Sequence, residues 1–347
     1  MPIVYSAGTI VQQEFDNDTQ QETLDGIRDA LVAAGWTLTN SSGGYTLRSA
    51  KTPQGLQCTV RVQNASSLVS VTFNTIDSAL SLLPNYLSTS SGRRLKIIAN
   101  KYQFFVFLQD GAGVVGTSVM GGVPHIHPHH QSIAVSAVTP GNPTTVDTAT
   151  AHGLINGQSA FIADVEGVPG INANWTIESV NSTRLRLLTS NLSGSWTSGT
   201  GRVAGPGKIA RLIWSMADSN GAGSERACFR NSAYPNVGNN MYSSVSLNQM
   251  SWNLNGASGA GRLGLILPTY GLRWFNNQFI NCEPYLYFGP ATGATTPTVN
   301  AQLWDAVAVN FGFTGDLTTI FDGHTWMNYT GVHSSFAQNG ALFLAVN

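Results

Sequence analysis

The stretch that decides the fold reads Thr148-Ala149-Thr150-Ala151-His152-Gly153-Leu154-Ile155-Asn156-Gly157-Gln158, followed closely by Val165-Glu166-Gly167-Val168-Pro169-Gly170-Ile171-Asn172. Beyond it, Trp175-Thr176-Ile177-Glu178-Ser179-Val180 and Arg184-Leu185-Arg186-Leu187 alternate apolar with polar side chains. Alternation of period two marks a strand with one buried face. The Gly-Pro-Asn punctuation between the runs marks tight turns. Short strands and turns at this spacing close a small β-module that leaves no room for a catalytic cleft.

The order His152-Gly153-Leu154, Asn156-Gly157-Gln158, Gly167-Val168, Gly170, Asn172, Trp175, Ile177, Val180 and Leu187 resembles the small β-barrel module of the FCCH region of ubiquitin-activating enzymes. Similar modules recur as insertions in structural proteins of tailed bacteriophages. Two later phrases, Gln302-Leu303-Trp304-Asp305-Ala306 and Phe321-Asp322-Gly323-His324-Thr325-Trp326, resemble segments of phage virion proteins. The resemblance implies a non-enzymatic virion component of the tail, neck or collar, or baseplate. Its implied partners are copies of itself and other virion proteins, with a host-surface glycan as a further partner. Two alternatives stand beside it: a receptor- or carbohydrate-binding fibre component, and a polysaccharide or cell-wall hydrolase.

Composition supports an assembling protein without requiring one. Of 347 residues, 42% are hydrophobic and only 10% are charged, and the formal net charge is −1. Soluble domains carry about 25% charged residues, and a near-neutral surface promotes association. Nucleic-acid binding needs clustered positive charge; the densest basic run, Arg93-Arg94-Leu95-Lys96, reads as a solvated strand start. No basic segment followed by an apolar run opens the chain, and no apolar stretch reaches the roughly 20 residues that span a bilayer, so neither nucleic acid nor membrane is expected as a partner. Cys58, Cys228 and Cys282 are widely spaced, which argues against a disulfide scaffold or a zinc ribbon.

The expected architecture is mainly β with an N-terminal α+β unit, antiparallel sheets forming a sandwich-like body, and an inserted small β-barrel-like module. Thr19-Gln20-Gln21-Glu22 reads as a capping box opening a helix whose apolar face is Leu24, Ile27, Leu31 and Ala34, with Gly35 as its stop. Hairpins are expected around Ser42-Gly43-Gly44, Asn64-Ala65-Ser66-Ser67 and Asn100-Lys101, and a short helix from Ala79 until Pro84 interrupts it. The units would be 1–118 (α+β), 119–131 (a Gly/Pro/His-rich linker), 132–204 (the inserted module) and 205–347 (a β-rich continuation of the body).

Candidate chemistry is sparse. In Pro124-His125-Ile126-His127-Pro128-His129-His130, an extended His-x-His would place His125 and His127 on one side of a strand, where three chains could hold an axial metal ion. No other cofactor is expected. Asp164 and Glu166, and Asp316 and Asp322, are the carboxylates a glycosidase pair would draw on. No Gly-x-Ser-x-Gly elbow or phosphate loop occurs. Among the aromatics, Trp196 between Gly194 and Gly199, and Trp175, are the candidates for contact with a receptor or a neighbouring subunit.

Overall fold

A computed structural model describes residues 5–76, 84–89, 92, 94–109, 115–126, 131–205, 208–219, 226–231, 261–266, 281–282, 285–290, 299–309, 318–321, 324–328 and 341–346. The chain is mainly β: among the described residues, one helix accompanies five sheets, one of them a closed barrel. That helix has 14 residues, and no described helix is long and apolar enough to cross a membrane.

The first strand, β1 (Val11–Asp16), leads into α1 (Gln20–Ala33). Thr19 Oγ1 accepts from the Glu22 backbone N–H at 3.1 Å, and the Glu22 carboxylate accepts from the Thr19 N–H at 2.8 Å. This is the reciprocal capping box the sequence spells. At the other end Gly35, at φ +94°, turns the chain so that Trp36 N–H donates to Leu31 O at 2.9 Å. Gly26, costly inside a helix, has a packing reason. A Cβ there would lie 2.2 Å from the Phe15 ring, so the glycine is the seat on which β1 docks.

Five strands follow as a meander: β2 (Thr37–Asn40), β3 (Tyr45–Arg48), β4 (Cys58–Ala65), β5 (Leu68–Thr75) and β6 (Asn85–Ser88). The helix expected from Ala79 lies mainly outside the described residues; past Pro84 the chain is strand, with Asn85 and Leu87 buried. The second sheet takes β7 (Arg94–Ala99), β8 (Gln103–Gln109), β9 (Val115–Gly122), β17 (Leu212–Ser219) and β18 (Arg226–Asn231), in the order β1-β7-β8-β9-β17-β18. The basic run at its start is matched across the β1–β7 ladder, where Arg94 and Lys96 face Glu14 and Asp16.

The two sheets pack face to face, with Phe73 stacked on Phe104 at 5.3 Å and α1 lying against strands of both. Cys58 lies fully buried in this core, and burial pushes its thiol up to about 12. Within the segment 119–131, expected to be a linker, the described residues 119–122 and 125–126 are strand. β9 runs to Gly122, and β10 (His125–Ile126) pairs with Val299–Gln302. The glycines belong to packing: a Cβ on Gly121 would lie 2.6 Å from both the Phe73 ring and the Trp214 carbonyl oxygen.

The barrel comprises β11 (Ile133–Thr139), β12 (Thr145–Thr148), β13 (Ser159–Ala163), β14 (Asn174–Asn181), β15 (Arg184–Leu187) and β16 (Arg202–Ala204). It closes in the order β11-β12-β15-β14-β13-β16. Its first and last strands are neighbours, Ile133 opposite Val203, and outside it Gln131 bridges Ile209. Two chain ends held side by side are the condition under which an insertion leaves its host undisturbed. Beyond β18 the described strands form two further antiparallel sheets. One orders β10, Val299–Gln302, Tyr285–Pro290 and Gly261–Ile266; the other joins Asn281–Cys282, Ala306–Val309, Ala341–Ala345, His324–Asn328 and Thr318–Phe321.

Candidate functional site

The opening motif of the barrel is a structural lock. His152 is 2% exposed, its Nδ1 accepts from Leu154 N–H at 3.0 Å, and its Nε2 lies 2.7 Å from Asn181 O. A carbonyl can only accept, so Nε2 carries the proton and the ring is neutral. One imidazole thus ties the 149–158 loop to the turn between β14 and β15. Asn172 does the same at another loop, accepting from Val165 N–H and donating to Val165 O.

The barrel packs on the body. Its β13–β16 flank lies against the body. Phe161, Ala163 and Ala204 bury themselves with Ala210, which lies between the last barrel strand and β17. Next to this apolar contact sits Arg211, 4% exposed, its guanidinium carbon 5.1 Å from the Phe161 ring centroid and Nη2 3.5 Å from Asp164 Oδ1. Asp164 occupies the left-handed region at φ +58°, which Asp tolerates better than most residues. From the barrel side Arg202 hydrogen-bonds Ser132 Oγ and presses on the body turn at Gly55, where a Cβ would lie 2.0 Å from Nη1. Burial lowers the pKa of Arg202, opposed by the charge of Asp164.

A cleft of about 280 Å³ opens along this seam. Arg48, Lys51 and Gly55 line it from the body, Asp164 and Glu166 from the barrel, and Arg211 from the junction. β3 ends at Arg48 and delivers that side chain outward, because Leu47 on the opposite face is fully buried. Chemically, the cleft offers exposed guanidinium and ammonium donors beside carboxylate acceptors, between two folded units. Such junctions are frequent ligand sites.

The sequence-derived candidates lie elsewhere. The His125 ring stacks on Tyr5 at 3.5 Å and 12°, with Trp304 edge-on at 5.0 Å. Gln54 pairs with both backbone groups of Ile126, its Oε1 accepting from Ile126 N–H at 2.8 Å, and this orientation turns its amide nitrogen toward His125 Nε2, 3.3 Å away. His125 is therefore held in an aromatic cluster, with Nε2 facing an amide donor. His127, like Asp316 and Asp322, lies outside the described residues. Among the described residues no three His, Cys, Asp or Glu side chains gather in a way that could hold a metal ion.

Trp196 and Trp175 are both half-buried against the barrel core, with their indole N–H groups donating to Thr200 O at 3.0 Å and Ile171 O at 2.8 Å. Asp164 and Glu166 do share a site, the seam cleft. Sequence reasoning passed over Arg48, Lys51 and Arg211. The one available signal was a charge inside an apolar run, Ile209-Ala210-Arg211-Leu212-Ile213-Trp214.

No protein-family model matches the chain, and no curated protein matches it either.

Proposed function

We propose that the chain is a non-enzymatic structural component of a tailed-phage virion, in the tail, neck or collar, or baseplate, acting by self-association and by docking to other virion proteins. The observation that carries this reading is the closed barrel inserted through adjacent strand ends into a two-sheet body. Inserted modules of that kind occur in phage structural proteins, which the sequence of this one resembles. Low surface charge favours association. A sheet edge for strand pairing is also at hand, since all four residues of β2 are exposed and the strand borders its sheet.

The test has two parts. Mass spectrometry of purified particles of the phage that encodes the chain should find it at a fixed copy number; its absence from particles overturns the reading. Light scattering on the purified chain should give a closed oligomer such as a trimer, hexamer or dodecamer. A monomer at high concentration would overturn self-association and leave docking to another virion protein.

A receptor- or carbohydrate-binding role is the second reading, and the seam cleft is the observation that favours it. The hydrolase alternative draws less support, because Asp164 is committed to an ion pair with Arg211.

A further inference from the structure

We infer that the cleft between barrel and body is a binding site for a single sugar-acid unit, a hydroxylated ring bearing one carboxylate. Four of the 17 basic side chains, Arg48, Lys51, Arg202 and Arg211, converge on this seam in a chain whose net charge is −1. Two of them are committed to the junction: Arg211 to Asp164 and the Phe161 face, Arg202 to Ser132 and the Gly55 turn. Arg48 and Lys51 are different. Both are exposed at the rim of the cleft, and neither has an ion-pair partner among the described residues. They are the groups that would receive a carboxylate, and a guanidinium can do so through two parallel hydrogen bonds.

Size and the opposing wall narrow the ligand class. About 280 Å³ falls just below the roughly 300–1,000 Å³ of sites that enclose drug-sized molecules, which limits the occupant to about one ring. Across the cleft stands Glu166, an exposed carboxylate on a loop held by its own backbone, N–H to Thr200 Oγ1 at 3.1 Å and C=O from Thr197 N–H at 3.0 Å. A bare inorganic anion carries its charge on every face and would meet repulsion from that carboxylate. A sugar acid turns its hydroxyl donors to Glu166 and its carboxylate to Arg48 and Lys51, so both walls are used. The site goes beyond the virion proposal and does not depend on it, because binding is measured on the isolated chain.

The experiment is calorimetric titration of the full chain with glucuronate and galacturonate, and with glucose and inorganic phosphate as the contrasting probes. A uronate is expected to bind while glucose and phosphate do not. Arg48→Ala/Lys51→Ala should weaken the uronate by about tenfold or more, the loss of charge-assisted hydrogen bonds. Both side chains are exposed, so thermal unfolding of this variant should match the parent, which separates lost binding from lost fold. Glu166→Ala should act in opposite directions, weakening the uronate and admitting phosphate. No saturable uronate binding at concentrations on the order of 10 mM would overturn the assignment. So would unchanged affinity in the double variant. Phosphate binding as tightly as the uronate would overturn the sugar-acid class.

Discussion

The barrel core is drawn from a single run of chain, Val135 to Val203, whereas the body core gathers residues from Leu24 through Val123 to Leu212, Trp214, Leu303 and Ala306. Near the amino terminus the body is clasped by residues almost 300 positions away. The buried Asp305 carboxylate accepts from Ala7 N–H at 3.0 Å and Asn100 Nδ2 at 2.9 Å, and Gln103 Nε2 donates to Trp304 O at 2.7 Å. Trp304 in turn donates to Val123 O at 2.9 Å and packs on Tyr102 at 4.5 Å. Local contacts cost little loop-closure entropy, while distant ones repay it only when the last segment arrives. That difference predicts a barrel that folds early and by itself, and a body that waits for residues past 300.

The largest expected effect tests that independence directly. A fragment spanning residues 131–205 should fold alone with one cooperative unfolding transition. The remainder, joined by a short Gly-Ser bridge, should keep its own, because β9 and β17 on either side of the barrel are paired with each other in one sheet. A fragment with no cooperative transition would show that the barrel needs the body to fold.

Next in size is Asp305→Ala. It strands the Ala7 N–H and the Asn100 amide in a buried site and should cost the body about 2–4 kcal/mol. In urea unfolding followed by probes of each unit, the barrel transition should stay where it was. A common shift of both transitions would show that the two units unfold as one.

His152→Ala should weaken the barrel alone by about 1–3 kcal/mol, since Leu154 N–H and Asn181 O lose their partner. The same denaturation series reads it, and a shift in the body transition instead would contradict the local role.

The smallest effect depends on pH. Arg184 pairs with Asp147 through Nε and Nη2 at 2.6 and 2.8 Å. The hydrogen bond to Arg184 holds the Asp147 carboxyl below its ordinary 3.8. A depressed carboxylate contributes stability that is fully present above the ordinary value and lost as pH falls through the lowered one. Barrel stability should therefore decline in acid below that value, and Asp147→Asn should flatten this part of the profile. Salt should shrink the effect, because the pair is exposed.

Where residues and partners were close in sequence, the reading of the chain held. The capping box at Thr19, the three hairpins and the closed β-module are all in the structure. The reading slipped where a residue's meaning depends on a remote neighbour. Gly121 and Gly122 looked like loop glycines, yet they lie at the end of strand β9, and Gly121 leaves room for Phe73 and Trp214. His125 stacks on Tyr5, a contact that its place in the His-x-His run does not announce.

Alternation, caps and turn residues act over a few positions, through backbone sterics and the burial of one strand face, and for that reason the amino-acid order alone determined the helix, the hairpins and the inserted module. Which flank of the barrel meets the body, and hence that Arg48, Lys51 and Glu166 face one another across a cleft, was decided only in three dimensions. Phe161, Ala163, Ala204 and Ala210 bury together, with Arg211 and Asp164 paired beside them, and it is the packing of one unit on the other that brings these residues together. No local period encodes that approach.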